Sequence, residues 1–240
     1  MKICGLMKTT LLDYPGHVAC TVFTGGCNLR CPVCHNKDLL SMDVQSEYSK
    51  EEIFEFLKKR QHTLEGVAVT GGEPTLQKDL PDFLRKIKDS FGLKIKLDTN
   101  GTNPQLVREL MDEGLLSYIA MDIKAGEENY CKAAGVDTDC FGSHMSRIRE
   151  TIALLMENRV PFEFRTTVVD GIHSEEDFRS IGKLIEGAPL YALQCYKDSE
   201  NVLRGDAGFK EPSPEALKRY RNIAAPFVKK CIIRGVDIEI

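Results

Sequence analysis

The chain has 240 residues, 42% hydrophobic and 28% charged, which is long enough for one sizeable core and ordinary for a soluble globular protein. Its formal net charge of −4, with no basic block, argues against broad phosphate-backbone binding, so nucleic acid is not expected as a partner. No apolar run reaches about eighteen residues, and no positively charged start leads into an apolar segment, so neither a membrane span nor secretion is expected. Nine cysteines, an odd number in a chain too large to need disulfide staples, suit a reducing cytoplasm.

Taken in order, Leu11-Leu12-Asp13-Tyr14-Pro15-Gly16 contains a turn ahead of a first strand over residues 18–23, which stops at Gly25-Gly26. Ser49 with Glu52 reads as a capping box, opening a helix with Ile53, Phe54 and Leu57 on one face. A second strand over 66–70 ends in Gly71-Gly72-Glu73-Pro74, and Phe83, Leu84 and Ile87 mark the helix after it. A third strand, 94–97, precedes Asp98-Thr99-Asn100-Gly101 and a helix that opens at Pro104 and is stopped by Gly114. Strands follow over 118–123, 162–169 and 190–196, with helices carrying Ile148, Ile152 and Leu155, then Phe178, Ile181 and Ile185 behind a Ser174 cap, and a last one at Ser213-Pro214.

Strand and helix thus alternate six times with no Pro, Gly or Ser-rich linker. One domain is expected over 1–240, with its core at about 16–200 and a C-terminal helix and tail over 201–240. Apolar, β-branched strands between amphipathic helices predict an α/β fold of parallel strands. Right-handed crossovers would curl six such units into a partial, open TIM-type (β/α)6 barrel, short of the eight that close one.

The densest chemistry lies at Cys27, Cys31 and Cys34, three thiols within eight residues on the loop after the first strand. Thiolate suits zinc or iron–sulfur clusters. A closed site of either kind takes four protein ligands, so a distant residue completes the set or one metal position stays open for a substrate. Clustered free cysteines and a closed zinc site are the alternatives. His35 adjoins Cys34, where joint coordination is awkward, and no second C-x-x-C pair is present.

Parallel α/β barrels place their chemistry where strands end. Gly71-Gly72-Glu73 follows the second strand, Asp98 ends the third, Asp122 and Lys124 leave the fourth, and Arg165 lies on the fifth. Each alone reads as a turn or a solvated charge, but together they would share the rim that carries the thiols.

At this point C-x-x-x-C-x-x-C resembles the signature of the radical S-adenosylmethionine (SAM) enzymes. The resemblance implies that Cys27, Cys31 and Cys34 hold a [4Fe–4S] cluster whose fourth iron chelates the amino and carboxylate groups of SAM. It also implies that Gly71, Gly72 and Glu73 bind the methionine amino group, that His35 and Asn36 line the adenine, and that Lys124 and Arg165 lie near the carboxylate. Asp98 and Asp122, with the backbone carbonyls of Thr99 and Ala120, resemble ligands of a monovalent cation beside the methionine carboxylate, which makes both carboxylates part of the implied SAM site.

The stretches 12–16, 27–36, 70–74, 98–101 and 121–124 come in the order and spacing of glycyl-radical-enzyme activating enzymes. Over roughly residues 3–197 the likeness is to the short, single-cluster activating proteins of anaerobic ribonucleoside-triphosphate reductase. Two departures from other activases bear on this. No cysteine lies between Asn36 and Val67, so no auxiliary cluster is expected, and Leu193-Gln194-Cys195-Tyr196 lacks the histidine found there in the pyruvate formate-lyase activase.

The resemblance implies reductive cleavage of SAM to a 5′-deoxyadenosyl radical that removes hydrogen from a glycine of the partner, with no side chain acting as acid or base. It further implies a glycyl radical enzyme as partner and a flavodoxin- or ferredoxin-type electron donor. The partner's glycine loop would enter past Asp13-Tyr14-Pro15-Gly16. Activation of another glycyl radical enzyme, radical chemistry on a small molecule, and a non-catalytic iron–sulfur scaffold are the other readings.

Overall fold

The structure is a computed structural model that describes residues 1–199, 202–203 and 208–236; the expected tail beyond 201 lies partly outside these. The chain opens with β1 (Ile3–Thr10), which pairs antiparallel with β2 (Ala19–Thr24). The alternation expected from the sequence then follows. Helix α1 (Lys50–Arg60) leads to β3 (Gly66–Gly71), α2 (Leu80–Phe91) to β4 (Lys94–Thr99), and α3 (Pro104–Asp112) to β5 (Tyr118–Asp122). After β5 come α4 (Tyr130–Ala134), α5 (Phe141–Met156), β6 (Phe162–Val168), α6 (Glu175–Leu184), β7 (Tyr191–Cys195), α7 (Pro214–Ala224) and β8 (Cys231–Arg234).

The six strands β2 to β7 are those expected, each followed by helix. The two outer strands, β1 and β8, and the short α4 are additions. Strand β1 breaks the apolar alternation, since it carries Gly5 and ends in the polar run Lys8-Thr9-Thr10, and β8 is only four residues long. Among the described residues no helix is long and apolar enough to cross a membrane.

Contacts group the chain into two compact units. The first comprises residues 1–28, 38–120 and 158–161, and the second 29–37, 121–157 and 162–240. The boundary at Asn28 and Leu29 falls inside the cysteine stretch.

In the first unit β2, β3 and β4 run parallel, in a register that sorts residue types by face. Cys20–Val67–Ile95 and Val22–Val69–Leu97 form fully buried apolar rows, and each such side chain contributes about 1.5–3 kcal/mol of transfer free energy. The amphipathic helices supply the matching cover with Ile53 and Leu57 of α1 and Phe83, Leu84 and Ile87 of α2, all buried. The opposite face carries the row Thr21–Ala68–Lys96, buried yet polar.

Local signals fix the helix ends. Ser49 and Glu52 form the expected reciprocal capping box, and Gly114 takes the left-handed turn (φ 63°) that ends α3, its N–H donating to Met111 O. In the second unit β6, β7 and β8 run parallel, placing Arg165 beside Ala192 and Glu163 within reach of Arg234, which clasps it with two bonds of 2.8 and 2.7 Å.

Candidate functional site

The first unit holds Cys27 and the glycine turn after β3. Cys27 is buried, and its N–H donates to Leu40 O, while Gly26 N–H donates to Leu39 O. Gly72 N–H donates to Thr24 O and Glu73 N–H to Gly26 O, both at 2.8 Å, so the turn lies backbone to backbone against the start of the cysteine loop. A Cβ on Gly72 would stand 2.2 Å from Gly26 O, and Gly71 sits at φ 118°, which is why both positions require glycine.

Glu73 is 1% exposed, and its carboxylate is spent inside the chain. Oε1 accepts from the Thr75 N–H, the Thr75 hydroxyl and the Thr99 hydroxyl, and Oε2 accepts from the Asn100 N–H at 2.7 Å. Burial pushes its carboxyl above the usual range, and the bonds from Thr75, Asn100 and Thr99 oppose the shift. Glu73 therefore ties the glycine turn to the end of β4.

The same strand end is tied to the cysteine loop through Asn28. Its Nδ2 donates to the Thr102 hydroxyl, and its Oδ1 accepts from Asn100 Nδ2, both at 2.9 Å. Asp98, two residues from Lys96 on the same face of β4, accepts a bond from the Lys96 ammonium. Thr99 and Ala120, expected to offer backbone carbonyls, are both buried.

The second unit holds the rest of the cysteine loop. Cys34 N–H donates to Cys31 O at 3.0 Å, giving a tight turn between the two thiols, and Leu203 N–H donates to Cys34 O at 3.1 Å. Helix α4 anchors the turn from the other side. Arg30 N–H donates to Ala134 O at 3.0 Å, and Gly135 lies so close that a Cβ would stand 1.9 Å from Arg30 O.

Val33 packs against a buried cluster that includes Ala133, Val169, Tyr196 and Val202. His35 lies 5.5 Å from the Tyr196 ring, with Nε2 2.6 Å from Lys197 O. Burial pushes the Cys34 thiol up, opposed by the backbone N–H of Asn36, which follows directly, and burial also raises Cys31, against the nearby Lys124 charge.

At the exits of β5 and β6, Asp122 receives two cations. Arg165 Nε donates to Oδ1 at 2.9 Å and Lys124 Nζ to Oδ2 at 3.1 Å. Burial works to raise the Asp122 carboxyl, but Arg165 and Lys124 prevail and hold it at about 2. Lys124 is pushed well above the usual lysine range, since the Asp122 charge outweighs burial.

His173 fixes the backbone here. Its Nδ1 accepts from Val169 N–H at 3.0 Å, so Nε2 carries the proton and donates to Lys124 O at 2.8 Å. Burial lowers its pKa, which keeps the ring neutral.

The residues named from the sequence thus fall into two sets. Cys27, Gly71, Gly72, Glu73, Asp98, Thr99 and Ala120 belong to the first unit, and Cys31, Cys34, His35, Asn36, Asp122, Lys124 and Arg165 to the second. Among the described residues no three His, Cys, Asp or Glu side chains are already drawn together as a metal site. Assigning a cluster to Cys27, Cys31 and Cys34 therefore stands on their spacing and on donor chemistry.

Two observations fit such a group. None of the nine cysteines is held in a disulfide, so the chemistry of the three thiols suits soft metal ligation. Tyr130, on the helix that anchors the loop, buries a hydroxyl with no partner among the described residues, and the ionisable groups acting on it are those of Lys124, Cys31, Asp122 and Cys131. Buried hydroxyls ordinarily find an acceptor.

Sequence reasoning missed Asn28, Lys96, Tyr130, Gly135 and His173. Only the placement of Asn28 inside C-x-x-x-C and of Lys96 two residues before Asp98 could have flagged any of them.

Residues 21–185 match the family model described as the Radical SAM superfamily. A protein of Methanocaldococcus jannaschii, provisionally named a glycyl-radical enzyme activating enzyme, is 30% identical across 98% of this chain and 96% of its own length. The pyruvate formate-lyase 1-activating enzyme of Escherichia coli is 25% identical over 91% of this chain and 93% of its own. Among solved structures, SuiB of Streptococcus suis bound to its precursor peptide SuiA aligns over 90% of this chain with a TM-score of 0.66 and 13% identity. The chain covers 48% of SuiB, about half its length. That likeness shows the fold alone: α/β, with parallel strands in an open, unclosed arrangement.

Proposed function

The chain belongs to the radical SAM superfamily, and we propose that within it the protein activates a glycyl radical enzyme, anaerobic ribonucleoside-triphosphate reductase. Enzymes of this superfamily work with a [4Fe–4S] cluster and SAM. The observation that carries the activase reading is the end-to-end likeness to a provisionally named activating enzyme of nearly the same length. The cysteine-free stretch between Asn36 and Val67 supports the single-cluster group, and the 193–196 sequence supports the reductase over pyruvate formate-lyase. The family match spans both compact units, which supports one domain over 1–240.

Once bound, the cluster and SAM would supply one-electron reductive chemistry whose outcome is removal of a hydrogen atom from a backbone glycine of the partner. The residues of this chain hold and orient. Cys27, Cys31 and Cys34 would ligate three irons. The backbone of Gly71 and Gly72 would meet the methionine amino group, since the Glu73 carboxylate is already engaged, and Lys124 and Arg165 would face the methionine carboxylate. His35 and Asn36 would line the adenine. The exposed Leu11 and Leu12 offer an apolar landing for the partner's glycine loop next to Asp13-Tyr14-Pro15-Gly16. A flavodoxin or ferredoxin would supply the electron, and the free cysteines suit the reducing cytoplasm.

The test is anaerobic incubation of the cluster-loaded protein with SAM, a strong reductant and each candidate partner. The expected result is 5′-deoxyadenosine together with a glycyl radical, read by electron paramagnetic resonance, on the reductase. A radical formed only on pyruvate formate-lyase moves the assignment to a second reading, favoured by the full-length likeness to the Escherichia coli enzyme. No nucleoside from a fully loaded protein defeats the enzymatic reading and leaves the iron–sulfur scaffold.

A further inference from the structure

Asp98 and Asp122, the two carboxylates that the sequence resemblance assigns to a monovalent cation, each already hold a side-chain cation. Lys96 is the more telling case, because its side chain is 2% exposed and its ammonium bonds Asp98 on the same face of β4. Its neighbour across the register on β3 is Ala68, whose small side chain leaves room for the long lysine stem.

An ammonium withdrawn from water cannot give up its carboxylate without being left unpaired, so Asp98 is committed to it. An alkali ion ligated by Asp98 would set a second positive charge against the first. At Asp122 the two oxygens are divided, Oδ1 to Arg165 and Oδ2 to Lys124.

We propose that at Asp98 this chain carries its own cation, the Lys96 ammonium standing where a bound monovalent ion would otherwise sit, with Lys96 as the positioning residue on that carboxylate. An alkali ion would contribute the same charge toward the carboxylate of SAM. The inference rests on the reading of Asp98 as part of the SAM site.

The experiment measures the dissociation constant for SAM on the cluster-loaded protein in choline, sodium and potassium chloride at one ionic strength. For the wild type less than about a twofold change between salts is expected, and for Lys96→Met about tenfold weaker binding in choline that sodium or potassium restores. A merely structural role for Lys96 would weaken the fold without creating ion dependence. Wild-type binding that strengthens about tenfold in sodium or potassium over choline overturns the proposal. So does a Lys96→Met protein indifferent to the salt.

The wild-type arm needs no variant, so a Lys96→Met chain that fails to fold does not shield the idea. Absence of SAM binding in every salt counts against the proposed function instead. Sodium NMR of the wild type then decides the present point: no line broadening is expected, and saturable broadening abolished by Asp98→Asn overturns it.

Discussion

Glu73 and Asp122 both sit at strand exits, and they are held in opposite ways. Glu73, sealed from water, is met only by neutral donors: two backbone N–H groups and two hydroxyls. Asp122 is met by two cations. Burial wins at Glu73 and raises its carboxyl, whereas at Asp122 burial loses to Arg165 and Lys124 and the carboxyl is held at about 2. Neutral donors converging from Thr75, Thr99 and Asn100 fix where two loops meet without adding charge. The cations at Asp122 create a local field, which is what an anionic ligand group would sense.

The hardest blow to this contrast is Glu73→Ala. It strands four buried donors, so a loss of about 3–5 kcal/mol is expected in urea denaturation. A loss under about 1 kcal/mol would mean that the loops are held by something else. Asp122→Ala leaves two cations facing each other at a partly open site, so about 2–3 kcal/mol is expected by the same measurement.

The pH dependence sharpens the comparison with a smaller effect. Asp122 is lowered from 3.8 in the unfolded chain, so its stabilisation is complete above that value and is lost as pH falls toward about 2. Glu73 is raised, so its contribution is best in acid and declines as pH rises above 4.5. Stability measured between about pH 2 and 6 should therefore differ from the wild type with slopes of opposite sign for Asp122→Asn and Glu73→Gln, and parallel slopes would erase the distinction. Smallest of all, Tyr130→Phe removes a hydroxyl that has no partner among the described residues. It should leave the cluster-free protein unchanged or more stable by about 1 kcal/mol. A clear loss would show that the hydroxyl is bonded.

What was legible in the sequence was local or periodic. The Ser49–Glu52 box, the glycine stop of α3 and the six apolar strands β2 to β7 depend on neighbours within a few residues, and the structure has them where expected. Strand β1 was illegible because its exposed middle and polar end hide the alternation. Lys96 reads like its exposed neighbour Lys94 until the register brings Ala68 beside it. Asn28 looks like filler between two cysteines, and only the fold brings Asn100 and Thr102 to its amide. The cation expectation failed to foresee Lys96 for the same reason, since a motif names carboxylates but not the partners that tertiary structure hands them.

Gly135 gives a handle on the cysteine loop that touches no sulfur. Because its α-carbon rests on the Arg30 carbonyl, a single added methyl there works as a wedge under the residue preceding Cys31. Substitutions at 135 would let the grip on Cys31 be loosened by degrees, and retention of the proposed cluster could be traced against mechanical slack with every thiol left in place.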